Sequence, residues 1–324
     1  MSRTNQTSNT VDATQGVLRG LIPGKEGIEA CLSADARMKL ARNVLTSRYV
    51  VEGNLAGAHR SPLRGLSSEF ADHKQYGQGD DPKNIDWRVV ARTDKYYVKR
   101  FEDETNLRVY VVMDRSGSMC YASGAVTKYA YALQLLAALG YVVVKARDSV
   151  GLFLQADGVD VRIPARNSMR HLNDMLRHAV DNPPDTGRGG TMADALHRIA
   201  STVRRRALIV IISDLLEDED SLRVAMARLR KQHHDVIVLH VLDPAEIDLS
   251  VGKASLFVDL ETGEQLPISA RDIRPSYIKV FGEFLATLQK HCASMAIDYR
   301  LARTDEPIAK FVNAWLLQRR KFTL

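Results

Sequence analysis

The chain has 324 residues, is 45% hydrophobic and 26% charged, and carries a formal net charge of +6. That composition lies in the ordinary globular range, with enough apolar material for one large domain or two smaller ones. Its 45 Lys and Arg residues are spread along the chain, and the tight clusters Arg204-Arg205-Arg206 and Arg319-Arg320-Lys321 each border an apolar segment. They read as solvated helix ends or loops, so no specific nucleic-acid site is expected. The three cysteines, Cys31, Cys120 and Cys292, are far apart and make no CxxC pair. This argues against a disulfide framework and a thiolate zinc site, and fits the reducing cytoplasm.

Residues 1–16 are expected to be a disordered tail, since Ser2 to Gln15 is polar and lacks the charged-then-apolar pattern of a signal peptide. A helix is predicted from Ala34 to Val51, with Ser33 as N-cap and Met38, Ala41, Val44 and Leu45 as its apolar stripe. Between Gly53 and Asp94 the pattern breaks into Gly, Pro, Asp and Arg with scattered aromatics, and little regular structure is predicted before a strand at Tyr96–Phe101. Residues 17–104 therefore read as an N-terminal extension.

From 105 to 324 strands and helices alternate. Leu107–Met113 is a continuous apolar run ending in Asp114, as a strand covered on both faces would be. A helix over Thr127–Ala146 contains the longest apolar stretch, Leu133–Val144, which is too short to span a bilayer and reads as a buried helix. A hairpin is predicted for Val150–Leu154 and Val159–Ile163 across Ala156-Asp157-Gly158, then helices over Met169–Val180 and Met192–Val203. The apolar strand Ala207–Ile212 ends in Ser213-Asp214. A helix over Ser221–Gln232, a strand at Val236–Val241, a second hairpin around Thr262-Gly263, a helix over Ser276–Cys292, a strand at Ile297–Leu301 and a helix over Pro307–Gln318 complete the order. The fold class this predicts is α/β, a doubly wound mostly parallel sheet with an N-terminal β-containing extension.

In such a sheet, ligands bind beyond the carboxyl ends of the strands where the strand order reverses. Two strong strands end in aspartate. After the first, Asp114, Ser116 and Ser118 are alternate residues whose oxygens can turn to one point, with Gly117 allowing a tight path. The loop Gly187-Arg188-Gly189-Gly190-Thr191 delivers a hydroxyl at a helix start, and Asp214 closes the second strand. Two carboxylates and three hydroxyls, with no His or Cys, suit Mg²⁺ or Mn²⁺ rather than Zn²⁺. Two aspartates balance the double charge, and weak hydroxyl donors leave the ion electrophilic with a position open to a carboxylate from another molecule.

DRSGSM at 114–119, GGT at 189–191 and SD at 213–214 resemble the metal-ion-dependent adhesion site (MIDAS) of von Willebrand factor A domains. The resemblance implies that Asp114, Ser116, Ser118, Thr191 and Asp214 bind the metal directly or through water. Arg115 departs from the pattern, either tuning ligand choice or pointing to solvent. A second resemblance covers about Gly65 to Glu104, where Glu69-Phe70, Tyr76, Gly79-Asp80-Asp81, Ile85-Asp86-Trp87 and Ala91-Arg92-Thr93 are similar to the signature of the bacterial domain-of-unknown-function-58 group. Members pair this segment with a von Willebrand A-like domain and are thought to work with MoxR-type AAA+ ATPases as chaperone-like assemblies. The implied function is a non-enzymatic, metal-dependent protein-binding module for such an ATPase or its client, gripping a partner Asp or Glu.

Each of these residues also has a plainer reading. Asp114 and Ser118 could cap helices. Asp80, Asp81 and Asp86 could pair with Arg88 and Arg92 while Trp87 anchors the segment on the core. His233-His234 suits a helix end as a protonated imidazole. His73, His171, His178 and His197 read as surface or capping residues. Cys120 reads as a small core filler or turn residue, and Tyr129 and Tyr131 as packing. The alternative function is a phosphotransferase with Asp114 as nucleophile, a chemistry that usually needs a second acid two residues on, where Ser116 stands, and a positioned lysine, which does not follow closely.

Overall fold

The computed structural model describes residues 16–45, 69–77, 82, 85–102, 107–156, 158–184, 190–250, 255–258, 265–268 and 270–323. The expected tail up to Gln15, the loop residues Gly187 to Gly189, and Asp80 and Asp81 lie outside them.

The first elements are two short helices, α1 (Ile28–Cys31) and α2 (Ala34–Leu40). Ser33 caps α2 as expected, accepting from Ala36 N, but Met38 is 73% exposed and the residues buried from this segment are Ala36, Leu40 and Leu45. The short α2 turns a different face inward from the one its spacing suggested. Ile28, Cys31, Leu32, Leu40 and Leu45 join the same hydrophobic cluster as the central strands. Further upstream, Gly16–Leu21 lies against the long helix described below, with Thr127 N donating to Arg19 O at 3.1 Å and Gln134 Nε2 to Gly20 O at 2.9 Å.

The region expected to be irregular contains β1 (Glu69–Gln75) and α3 (Trp87–Thr93), followed by β2 (Tyr97–Glu102). β1 and β2 pair antiparallel as a separate two-stranded sheet. Asp86 caps α3, accepting from Arg88 N, and Asp94 ends it in the left-handed conformation. Trp87 does not anchor the segment: it is 64% exposed. It is the first residue of a helix with no buried member.

The principal sheet is built from β3 (Arg108–Asp114), β4 (Ser149–Ala156), β5 (Gly158–Arg166), β6 (Leu208–Ser213), β7 (Asp235–Leu242) and β10 (Asp298–Arg303) in the order β10-β7-β6-β3-β4-β5. All neighbours are parallel except the edge hairpin β4–β5. The intervening elements are α4 (Lys128–Lys145), α5 (Met169–Asp181), α6 (Met192–Thr202), α7 (Glu219–Lys231), α8 (Pro244–Asp248), the β8 (Ser255–Val258) and β9 (Gln265–Ile268) hairpin, α9 (Ala270–Ser294) and, at the end, α10 (Ile308–Thr323).

Alternation along the strands divides the core in two. Val109, Val111 and Met113 face a cluster with α4, α5 and α10, while Tyr110 and Val112 face one with α6, α7 and α9. Side chains of period two on strands buried on both faces demand helices on both sides. The helix α4 is buried almost all round. At Gly140 a Cβ would come 2.3 Å from Leu172 Cδ1, so the missing side chain is what lets α5 lie close to α4. The fold class is α/β with a doubly wound, mostly parallel sheet. The chain leaves β3 first toward β4 and β5 and then returns to build β6, β7 and β10 on the other side. The strand order therefore reverses at β3, which puts the switch point at Asp114.

Candidate metal centre

Register sets the site. Met113 pairs with Ile212 and Ser213 with His240, so Asp114, Ser213-Asp214 and His240 end at one level of the sheet. Asp114 is buried, with Oδ1 accepting from Ser116 N at 2.8 Å and Oδ2 from Ser213 Oγ at 2.5 Å. The chain then runs into a 3₁₀ turn, Gly117–Cys120, which brings Ser116 Oγ and Ser118 Oγ to 2.9 Å apart. Ser118 lies close enough to Asp214 to help hold that carboxyl below its usual range. Asp114, Ser116, Ser118 and Asp214 are thus brought together.

Thr191 is placed differently. It is exposed and caps α6, its Oγ1 accepting from Asp194 N at 3.1 Å, and among the described residues it makes no hydrogen bond to the other four. Its backbone is nonetheless held to this end of the sheet. Gln155 at the tip of β4 donates to Gly190 O at 2.8 Å, and Glu217 accepts from Ala193 N at 3.3 Å.

The electrostatics separate the two aspartates. Burial, with the charge of Asp214 next to it, pushes Asp114 up to about 6 against the hydrogen bonds from Ser213 and Ser116. Burial would raise Asp214 too, but the Lys128 ammonium outweighs it and holds that carboxyl below the usual range. Lys128 Nζ lies 2.7 Å from Asp214 Oδ2 and 2.5 Å from Glu246 Oε1. Burial and the nearby Asp114 charge push Glu217 up to about 7, against the amide hydrogen bonds it accepts from Ala193 and Met192.

Four residues at this end escaped sequence reasoning. Lys128, fully buried on α4, gives one of the two aspartates a cationic partner, since Asp214 holds its ammonium. Glu246 was legible in part, because Asp243-Pro244 followed by Glu246 is a capping box with Pro at the helix start, which forms α8. Glu217 carried no sequence signal. His240 lies fully buried in β7, and burial lowers it to about 4. The neutral ring then donates from Nε2 to Asp214 O and accepts at Nδ1 from Tyr299 OH, both at 2.7 Å, fixing the backbone under the carboxylate.

Arg115 does not point to solvent: it is 5% exposed, and its guanidinium donates to Pro183 O at 3.2 Å. Tyr129 and Tyr131 are buried packing residues as expected, with Tyr129 OH donating to Ala179 O at 2.6 Å. His234 is no protonated helix cap: it is buried, and desolvation lowers its pKa.

Among the described residues no group of three or more His, Cys, Asp and Glu side chains could hold a metal ion. Any ion here would have to use hydroxyl ligands as well. The donor set fits that demand: hard oxygens from Asp114, Ser116 and Ser118, with Asp214 behind them, and no soft ligand among them. Asp114 in particular is a buried carboxylate whose hydrogen-bond partners are an amide and a hydroxyl, neither of them a cation.

Residues 72–283 match the family described as "Protein of unknown function DUF58". The chain belongs to this family. Among curated relatives, the uncharacterized protein Rv1480 of Mycobacterium tuberculosis is 29% identical over 220 residues, covering 68% of this chain and 69% of that protein. An uncharacterized protein of Mycobacterium avium is 28% identical over 160 residues, covering 47% of this chain and 93% of that one. Among solved structures, the conserved hypothetical protein BatB from Bacteroides thetaiotaomicron is similar over 67% of this chain and 100% of that chain, at TM-score 0.42 and 15% identity. The SpRpn10 VWA domain is similar over 65% of this chain and 95% of that chain, at TM-score 0.38 and 13% identity. Among the described residues no helix is long and apolar enough to cross a membrane.

Proposed function

We propose that this DUF58 protein is a metal-dependent protein-interaction module that holds Mg²⁺ or Mn²⁺ at Asp114, Ser116, Ser118, Asp214 and Thr191. Through that ion it grips an Asp or Glu of a MoxR-type AAA+ ATPase or of that ATPase's client. The observation that carries this reading is Asp114, a buried carboxylate at the switch point with neutral hydrogen-bond partners and two hydroxyls beside it. An ion would neutralise it, and a carboxylate from outside would complete the ion's shell. Leu216, two residues past Asp214 and 53% exposed, adds an apolar contact at the rim. The free thiols of Cys31, Cys120 and Cys292 suit a cytoplasmic location.

The test is a pull-down of a MoxR-type ATPase with Mg²⁺ or with EDTA. Chelation, Asp114→Ala and Thr191→Ala should each remove the captured ATPase while circular dichroism stays that of the wild type. Capture that survives all three sinks the metal-mediated reading.

The phosphotransferase alternative gains a lysine in space, but Lys128 Nζ is buried between Asp214 and Glu246 and Ser116 still stands in place of the second acid. Turnover of a generic phosphate ester, abolished by Asp114→Asn, would favour it.

A further inference from the structure

Lys128 has no role in the reading above, and its position is costly. It is the first residue of α4, where the helix dipole is positive and disfavours a cation. It is also fully buried, and taking an ammonium out of water is strongly unfavourable until partners offset it. An apolar residue in the same space would meet the needs of packing. The ammonium reaches the Asp214 carboxylate, the one the candidate ion would share, and the Glu246 carboxylate of α8.

Resting on the metal-binding reading, we infer that Lys128 is a resident counter-cation of the site, which occupies an oxygen of Asp214 and lowers the site's affinity for a free divalent ion. The charges lead there. Asp114 and Asp214 together carry two negative charges, and Lys128 offsets one. Glu246 shares the same ammonium, so the three carboxylates and Lys128 together carry two negative charges, and an ion must still compete with Lys128 for the Asp214 oxygen. Without the ammonium, both aspartates would be open to the ion and would bind it more tightly. Glu246 takes another hydrogen of the same ammonium and draws it away from Asp214. Neutralising Glu246 would leave Lys128 more fully to Asp214.

The two residues therefore act in opposite directions, and one experiment reads both. Mn²⁺ binding to the full chain is measured by calorimetry for wild type, Lys128→Met and Glu246→Gln, with Asp114→Ala added to the Lys128→Met background to locate the ion. The expected result is a Kd at least tenfold lower for Lys128→Met, lost again when Asp114 is removed, and a Kd several-fold higher for Glu246→Gln. Binding by Lys128→Met but not by wild type supports the inference as well. If Lys128→Met binds no more tightly than wild type, the inference falls while the metal site stands. If Lys128→Met does not fold, Glu246→Gln decides: unchanged or tighter Mn²⁺ binding overturns it. If neither wild type nor any variant binds Mn²⁺, both the inference and the metal reading are overturned.

Discussion

The two ends of the principal sheet each bury a cluster of charge, and they solve the same problem differently. At the amino end, Asp235 begins β7 and Asp298 begins β10, and Arg319 from α10 donates to both, at 2.6 and 2.8 Å. Trp315 Nε1 and Arg300 add further donors to Asp298. Burial there is outweighed by these donors, and the Asp298 carboxyl is held below its usual range. At the carboxyl end, Asp214 has its lysine, but Asp114 has an amide and a hydroxyl, and burial pushes it up to about 6. A guanidinium can satisfy two carboxylates with fixed geometry, so the amino end is a closed structural clamp. At the carboxyl end, no cation among the described residues hydrogen-bonds the Asp114 carboxylate.

The largest effect that would test this contrast is at the clamp. Arg319→Met strands two buried carboxylates and is expected to lower unfolding free energy by about 3–5 kcal/mol, read by urea denaturation, with Mn²⁺ affinity of the folded fraction unchanged. A loss below about 1 kcal/mol would mean that the amino end is no more a clamp than the carboxyl end.

The next effect lies in pH. Asp114 must be ionised to hold a metal, and its apo pKa of about 6 is above the ordinary value. Mn²⁺ affinity should therefore be flat above about pH 6 as far as this residue is concerned, and fall about tenfold per unit below it. The stability linkage has opposite signs at the two ends. A raised carboxyl takes up protons in the folded state first, so the Asp114 contribution to apo stability is present at low pH and is lost as pH rises through about 6. The depressed Asp298 contributes above the ordinary carboxyl range and is lost as pH falls through its lowered value. Mn²⁺ titrations between pH 5 and 8 check the first statement, and affinity unchanged down to pH 5 would contradict it.

The smallest effect concerns the separate β1–α3–β2 unit. Since Trp87 is largely exposed, Trp87→Ala should change stability by less than about 0.5 kcal/mol in thermal or urea unfolding. A loss of several times that would restore the anchoring role that its position in the GDD…IDW segment suggested.

Much of this was legible in the sequence. The apolar runs ending in Asp114 and in Ser213-Asp214 marked two strands of a mostly parallel sheet, and the DRSGS spacing put three oxygens within one turn. Such features are local, because the apolar run of one strand and a tight turn involve residues a few positions apart. β1, as the partner of the strand predicted at Tyr96–Phe101, and the five-residue α8 were not anticipated. The segment Glu-Phe-Ala-Asp-His-Lys-Gln of β1 has no alternating apolar pattern, and α8 is too short for a helical period.

The choice of partner for each buried charge was decided only by the tertiary structure. Lys128 meets Asp214 across 86 positions and Glu246 across 118, and Arg319 meets Asp235 across 84. Arg115, which the motif put beside an ion, turns away to the Pro183 carbonyl. A sequence states where a charge is attached, but its neighbours are set by how helices from distant parts of the chain pack on the sheet. For a buried ion those neighbours determine whether it closes a clamp or leaves a site open.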